Sequence, residues 1–301
     1  MAERGYIHVV AAEVLAHERH AAGQHVLRLA APAIAAGARP GSFVHIDCGP
    51  QWLLRRPMSL MSAAPANGEI ELLFKEIGHG TVNLAALEPG DAVSLIGPIG
   101  NAFTSLRERP RRLLLGGGVG IPPILYYAQT LVAGGESPPW VVTGSEVPFP
   151  FLTARADLPL PGAPAAASDS ISRLEALGVP NRLASLGKLP GCFHGFVTEL
   201  AQLVIEALNP DERDELALYA CGPTAMLAAT AALARRYVLP CQVALEEYMA
   251  CAVGGCAGCT VEVTTATGAA MKRVCVDGPV FDAAAVFPAV SPVEPREPIF
   301  D

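Results

Sequence analysis

Over its first hundred residues the chain carries its apolar positions in short runs broken by turns. His25–Leu29 and Phe43–Asp47 are period-2 segments with β-branched or aromatic residues. Ile70–Lys75 follows the turn Ala66-Asn67-Gly68. Pro89-Gly90-Asp91 leads into Ala92–Ile96, which Gly97-Pro98 is expected to end. Short strands at this spacing predict a small antiparallel barrel over residues 1–107.

From about residue 110 the pattern changes. Leu113-Leu114-Leu115 runs into a glycine cluster, and Ile124–Val132 has helical spacing. Trp140–Thr143 and Leu216–Ala220 are further apolar strands, the second followed by Cys221-Gly222-Pro223 and the helical stretch Thr224–Arg236. Strands alternating with helices predict a doubly wound parallel sheet over residues 108–238. Ser145–Gly195, rich in proline and glycine, yields no definite elements. Phe196–Leu208 reads as a helix capped by Thr198, and residues 239–301 form a small cysteine-rich unit whose tail, from Phe287, is expected to be extended. The expected fold class is therefore α/β plus all-β, in three domains.

Composition narrows the function classes. A hydrophobic fraction of 51% with 17% charged residues excludes disorder and coiled coil. A net charge of −8 disfavours binding to nucleic-acid backbones. The uncharged run from Leu113 to Gly135 is long enough to suggest a membrane span, but Gly116, Gly117, Gly118, Gly120, Pro122 and Pro123 would break such a helix. The opening residues carry no basic segment followed by an apolar core, so no export signal is read, and reduced thiols in the cytoplasm are expected.

Four of the eight cysteines crowd into one stretch: Cys251, Cys256 and Cys259 form C-x4-C-x2-C, and Cys275 follows. Thiolates suit zinc or an iron–sulfur cluster. Structural zinc sites usually pair their cysteines as two short motifs. Three cysteines in one loop with a distant fourth is the plant-type [2Fe–2S] arrangement. Gly254, Gly255 and Gly258 let backbone N–H groups approach the sulfides. Gly116-Gly117-Gly118-Val119-Gly120-Ile121-Pro122-Pro123 joins a strand to a helix and suits a pyrophosphate at the helix N-terminus, although the strict G-x-G-x-x-G pattern fails at Ile121. An ordinary strand–helix turn is the alternative. Arg55-Arg56-Pro57-Met58-Ser59-Leu60 puts two arginines on a strand, either to meet an anion or as an exposed basic pair.

Taken in order, R-x-x-S, G-G-x-G-[IV]-x-P and C-G-P resemble the ferredoxin–NADP reductase superfamily. The four cysteines narrow this to a resemblance to the iron–sulfur electron-transfer subunits of two-subunit, NAD-linked dihydroorotate dehydrogenases. It covers roughly residues 5–145 and 194–280. The resemblance implies a ferredoxin-reductase-like FAD-binding barrel, an NAD-binding domain and a C-terminal [2Fe–2S] domain. It assigns Arg56, Pro57, Met58 and Ser59 to FAD, with Arg56 on the pyrophosphate and Ser59 near flavin N5. Leu73, Phe74 and Lys75 match the next FAD-contacting strand, while Gly80 and Thr81 match a phosphate turn in which Thr81 caps a helix. Gly97-Pro98-Ile99-Gly100-Asn101 closes the barrel domain. Gly117, Gly118, Gly120 and Pro123 fall in the nicotinamide-nucleotide loop, and Cys221, Gly222 and Pro223 lie beside the nicotinamide. Ser59 and Cys221 are thus expected at the reacting atoms, and Cys251, Cys256, Cys259 and Cys275 at the metal.

The implied activity is electron transfer among NAD(H), FAD and the cluster, to or from an FMN-containing catalytic subunit that interconverts dihydroorotate and orotate. A reductase module of a ferredoxin, hydrogenase or bifurcating complex is the alternative, and a zinc-stabilised assembly module without redox work is a third. Two departures from the family pattern stand out. Its short acidic run is matched to Ser168-Asp169-Ser170, leaving an insertion before Gly195-Phe196-Val197-Thr198. Glu146, after the second strand, would repel a 2′-phosphate and favours NADH. The seven histidines show no ligand spacing and read as solvated or structural.

Overall fold

The computed structural model describes residues 7–289. Six antiparallel strands close a barrel: β1 (His8–His20), β2 (Gln24–Ala30), β3 (Phe43–Ile46), β4 (Arg56–Ala64), β5 (Glu69–Lys75) and β6 (Ala92–Ile99), in the order β1-β2-β5-β4-β3-β6. Leu27, Val44, Ile46, Leu60, Leu72 and Leu95 fill its interior, and closure leaves no unpaired edge. Two short helices, α1 (Pro32–Gly37) and α2 (His79–Ala85), span its connections. Along β3 the side chains alternate. Val44 and Ile46 point into the barrel, while Phe43 joins the core around the cysteine-rich unit.

Gly97-Pro98 does not end β6, which runs on to Ile99. Opposite it, Phe43 faces Ile99 and His45 faces Ile96, so β6 carries an extra residue there. The bulge absorbs a proline that has no N–H for the ladder.

The second unit is a seven-stranded sheet. Its strands are β7 (Arg111–Gly117), β8 (Trp140–Gly144), β11 (Asn181–Ser185), β12 (Phe193–His194), β13 (Leu216–Cys221), β14 (Cys241–Ala244) and β17 (Val280–Asp282), ordered β12-β11-β8-β7-β13-β14-β17. All pair in parallel except β17. Helices α3 (Ile121–Ala133), α5 (Val197–Glu206) and α7 (Thr224–Tyr237) pack on its faces. Between β8 and β11 lie a separate hairpin, β9 (Thr153–Arg155) with β10 (Asp169–Ile171), and a single turn, α4 (Ser172–Glu175). A short α6 (Pro210–Asp214) precedes β13.

Three sequence expectations change here. Thr198 does not cap α5. Phe196 is the N-cap, and its N–H donates to Glu199 Oε2 at 2.7 Å, the return arm of a capping box. Ser168-Asp169-Ser170 lies at β10, outside the parallel sheet. β11, a strand of the parallel sheet, with Ser185-Leu186-Gly187-Lys188 at its carboxyl end, lies inside the stretch read as an insertion. Finally, β14 and β17 fall within the span assigned to the third unit, yet both belong to the sheet. The cysteine-rich segment is an excursion between them, built on β15 (Thr260–Thr265), β16 (Gly268–Arg273) and α8 (Val274–Asp277). A last turn, α9 (Ala283–Val286), packs on α7. The proline-rich tail lies outside the described residues beyond 289.

Candidate functional site

The two arginines at the head of β4 do different work. Arg55 is structural: its guanidinium donates to Ser94 O and Ser94 Oγ, both at 2.8 Å, and lies 3.5 Å from Asp47. Arg56 has no carboxylate within ion-pair distance among the described residues and donates only to the nearby carbonyls of Leu54 and Arg55. Its Nε lies 3.4 Å from where a Cβ on Gly80 would stand, and Cys48 Sγ is 3.2 Å from that point. The arginine and the start of α2, far apart in sequence, therefore meet. An unneutralised guanidinium beside free helix N–H groups fits the phosphates of a dinucleotide.

Thr81 supports that turn from a different position than expected. Gly78 is the N-cap of α2, and Thr81 Oγ1 accepts from the N–H groups of Ile77 (2.9 Å) and Gly78 (3.2 Å). Pro57 and Ser59 stand directly across from His45 and Phe43, on the outer face of the barrel. Met58 packs partly buried against the barrel core. Leu73 and Phe74 are buried side chains, Leu73 at the junction with α3 and Phe74 stacked on His25 at 5.0 Å. They offer a ligand backbone rather than side chain. Lys75, at the end of β5, is half-buried.

The carboxyl ends of the parallel strands form the second part of the site. A Cβ on Gly120 would stand 2.5 Å from the Cα and N of Gly222, and one on Gly117 would meet Met226 Sδ at 2.4 Å. The glycine turn and the Cys221-Gly222-Pro223 turn are thus pressed backbone to backbone. Gly118, at φ +54°, has nothing within 4 Å of its missing Cβ and faces open space. The helix N-terminus is a poorer anion seat than expected. Pro122 and Pro123 have no N–H, and the Ile121 N–H is bound to Gly118 O. The exposed start of α7, at Thr224 and Ala225, is the better-endowed helix end in this crevice.

Cys221, at the end of β13, is buried. Burial pushes its thiol pKa up, and the Glu246 carboxylate pushes it further. Glu246, just past β14, is solvent-exposed, and partial loss of hydration against its neighbours raises its pKa. Motif reading passed over this carboxyl, whose placement depends on β14 pairing with β13.

The four cysteines fall as two pairs. Cys259 and Cys275 are buried with sulfurs 3.3 Å apart. Cys251 and Cys256 share the outer loop, where Cys256 N donates to Cys251 Sγ at 3.4 Å and Gly258 N to Cys256 Sγ at 3.4 Å. Burial opposes ionisation of Cys251, but N–H groups of Cys256, Val253 and Gly255 and the Cys256 thiol outweigh it and bring its pKa down to about 6. Burial and the Cys259 thiol push Cys275 up to about 12. Among the described residues no three His, Cys, Asp or Glu side chains converge on one ion. Two thiolate pairs suit a cluster with two irons better than a single tetrahedral zinc. Of the three glycines, Gly254 is the one at positive φ, +86°, and a Cβ there would strike Val276 at 2.5 Å. Ala252 and Ala257 also sit at positive φ, so the loop is wound tightly around its sulfurs.

Asn101 fastens the barrel to β17 and to α8 at the end of the cysteine-rich unit, where its Nδ2 donates to Asp277 O at 3.2 Å. Its side chain donates to Val280 O and accepts from Val280 N, both at 2.8 Å, and its own N–H reaches Gly278 O at 2.7 Å. The Gly97–Asn101 loop therefore docks the cysteine-rich unit as well as closing the barrel.

Comparison with known proteins agrees with this architecture. Residues 9–103 match the oxidoreductase FAD-binding domain, and residues 246–287 match the iron-sulfur cluster binding domain of dihydroorotate dehydrogenase B. The "Dihydroorotate dehydrogenase B (NAD(+)), electron transfer subunit" of Desulforamulus reducens is 32% identical over 272 residues, 90% of this chain and 95% of that one. Its counterpart in Bacillus caldolyticus is 36% identical over 82% of this chain and 86% of that one. The chain belongs to the electron transfer subunits of dihydroorotate dehydrogenase B. Among solved structures, a chain of an NADH-dependent reduced ferredoxin-NADP oxidoreductase superposes with a TM-score of 0.73 at 25% identity, covering 92% of this chain and 90% of that one. Phthalate dioxygenase reductase, at 16% identity and a TM-score of 0.55 over 88% of this chain and 76% of that one, shares the fold. As a member of this family the chain is an oxidoreductase subunit with FAD-binding and iron–sulfur domains. Among the described residues no helix is long and apolar enough to cross a membrane.

Proposed function

We propose that this subunit passes electrons between NAD(H) and the catalytic subunit of a dihydroorotate dehydrogenase, through FAD on the barrel and a [2Fe–2S] cluster on the four cysteines. The observation that carries the reading is the position of β3. Its outer face holds Phe43 directly across from Ser59, and the same Phe43 packs in one core with Cys259 and Cys275. Bound flavin supplies a centre that accepts two electrons and releases them singly, and a cluster takes one at a time.

In this reading Arg56 and the α2 turn hold the FAD pyrophosphate, with Thr81 fixing the turn. Ser59 orients the flavin from the outer barrel face. Gly117, Gly118 and Gly120 leave room for the nicotinamide nucleotide, and Pro123 sets the first turn of α3. Cys221, Gly222 and Pro223 wall the nicotinamide side. Glu246 places its carboxyl close enough to Cys221 to act on its thiol. Cys251 with Cys256, and Cys259 with Cys275, ligate the irons, and the N–H groups aimed at Cys251 and Cys256 stabilise their thiolates. Glu146 follows β8 and faces solvent beside Gly187, where it selects NADH over NADPH.

The test is the visible spectrum of the purified protein with iron and zinc analysis. Flavin absorption, about two irons per chain and bleaching by NADH support the reading; one zinc and no flavin would overturn it. The likeness to the NADH-dependent reduced ferredoxin-NADP oxidoreductase chain favours a second reading, a module of a ferredoxin-linked complex. Co-purification with a dihydroorotate dehydrogenase catalytic subunit decides between them.

A further inference from the structure

His45 is 1% exposed, and neither of its ring nitrogens has a hydrogen-bond partner among the described residues. It stands on β3 opposite Pro57 of the flavin run, with the backbones of Arg55 and Met249 close to its ring. Met249 is two residues from Cys251, and it packs in the same core as Cys259 and Cys275. His45 thus spans the gap between the segment assigned to the flavin and the loop assigned to the cluster.

An orphaned buried polar group costs about 1–3 kcal/mol, and an apolar side chain of similar volume avoids that cost. A neutral imidazole carries one donor and one acceptor, and backbone groups of Arg55 and Met249 lie near enough to act on it.

We propose that His45 is a positioning residue for electron transfer between flavin and cluster. With the cluster bound, its ring closes a hydrogen bond to the Met249 segment, ties that segment to β3 and so sets where the first cluster ligand stands relative to the flavin run. Groups of this kind, one shell out from a metal's ligands, orient those ligands and tune the site's potential. The inference rests on the function proposed above.

The experiment uses the holoprotein. His45→Leu and His45→Gln are compared with wild type for flavin and iron content, melting temperature, cluster midpoint potential, and the separate rates of flavin and cluster reduction after mixing with NADH. In His45→Leu, FAD content and the flavin step should be unchanged and the melting temperature equal or higher. The cluster step should slow about fivefold to tenfold, the worth of one buried hydrogen bond, with a shifted midpoint potential. His45→Gln, which keeps a donor and an acceptor, should recover to within about twofold. Iron loss in His45→Leu with retention in His45→Gln also supports the role. Wild-type cluster kinetics and potential in His45→Leu, or equal defects in both variants, overturn it. Failure of NADH to reduce any centre in the wild type refutes the proposed function instead.

Discussion

Gly120 and Gly222 meet backbone to backbone. A methyl group on Gly120 would lie 2.5 Å from two atoms of Gly222, neither the end of a flexible side chain. The contact joins two turns a hundred residues apart in sequence. Gly120→Ala should destabilise the protein by about 1–3 kcal/mol, the usual range for overpacking. Reduction of bound flavin by NADH should slow at least tenfold, while flavin content stays near wild type. Chemical denaturation and stopped-flow absorbance at the flavin band check the two effects.

Arg55 and Arg56 should separate cleanly. Arg56→Ala removes a guanidinium with no carboxylate partner among the described residues, so the fold should hold while FAD is lost on gel filtration. Unchanged flavin content would reject its assigned role. Arg55→Ala removes charge-assisted bonds to Ser94 and the contact with Asp47. It should cost about 1.5–3 kcal/mol of stability and should reduce flavin binding only as far as the barrel itself unfolds.

Cys256→Ser should abolish the cluster and leave FAD in place. Cys256 is exposed, so the apoprotein should lose little stability. Cys259→Ser alters a buried position beside Cys275 and should cost both iron and stability. Iron analysis and electron paramagnetic resonance measure the first effect, and thermal melting the second.

The barrel should weaken in mild acid. Burial lowers the pKa of both His17 and His45 from 6.5, Arg19 adding to the shift at His17 and Arg55 at His45. A depressed folded-state pKa means that the stability these neutral rings contribute is complete above about pH 6.5 and is lost as pH falls through the lower folded values. The melting temperature should decline between pH 6.5 and 5. His17→Gln, which keeps a polar contact but cannot be protonated, should decline less steeply.

Asn101→Ala should loosen the cysteine-rich unit where it returns to the sheet, because one side chain holds Asp277 O and makes both arms of the contact with Val280. Limited proteolysis between residues 245 and 279 should accelerate several-fold, with FAD still bound.

Much of this was legible from local chemistry. The cysteine-rich unit stands out because residue type and spacing are properties of the chain alone. The parallel strands at Leu113 and Leu216 show as apolar runs because both faces of that sheet are covered. β1 was missed. Its outward positions Val9 and Ala11 are as apolar as the inward Val10 and Ala12, so no alternation shows along its first half. The stretch from 145 to 195 hid β11, because its Asn181 and Arg182 are polar yet buried. Local sequence could not separate Arg55 from Arg56, since Ser94 decides which of them turns inward. Glu246 and His45 take their character from neighbours on other strands, and no window along the chain contains those neighbours.

The cysteine-rich segment leaves the sheet after β14 and returns to it as β17. It is consequently a loop graft rather than a tail. Truncating the chain ahead of it would also strip an edge strand from the nucleotide-binding half. Exchanging it for another redox centre requires two splice points, at Ala244 and Val280, and a donor piece whose ends already lie one strand-width apart.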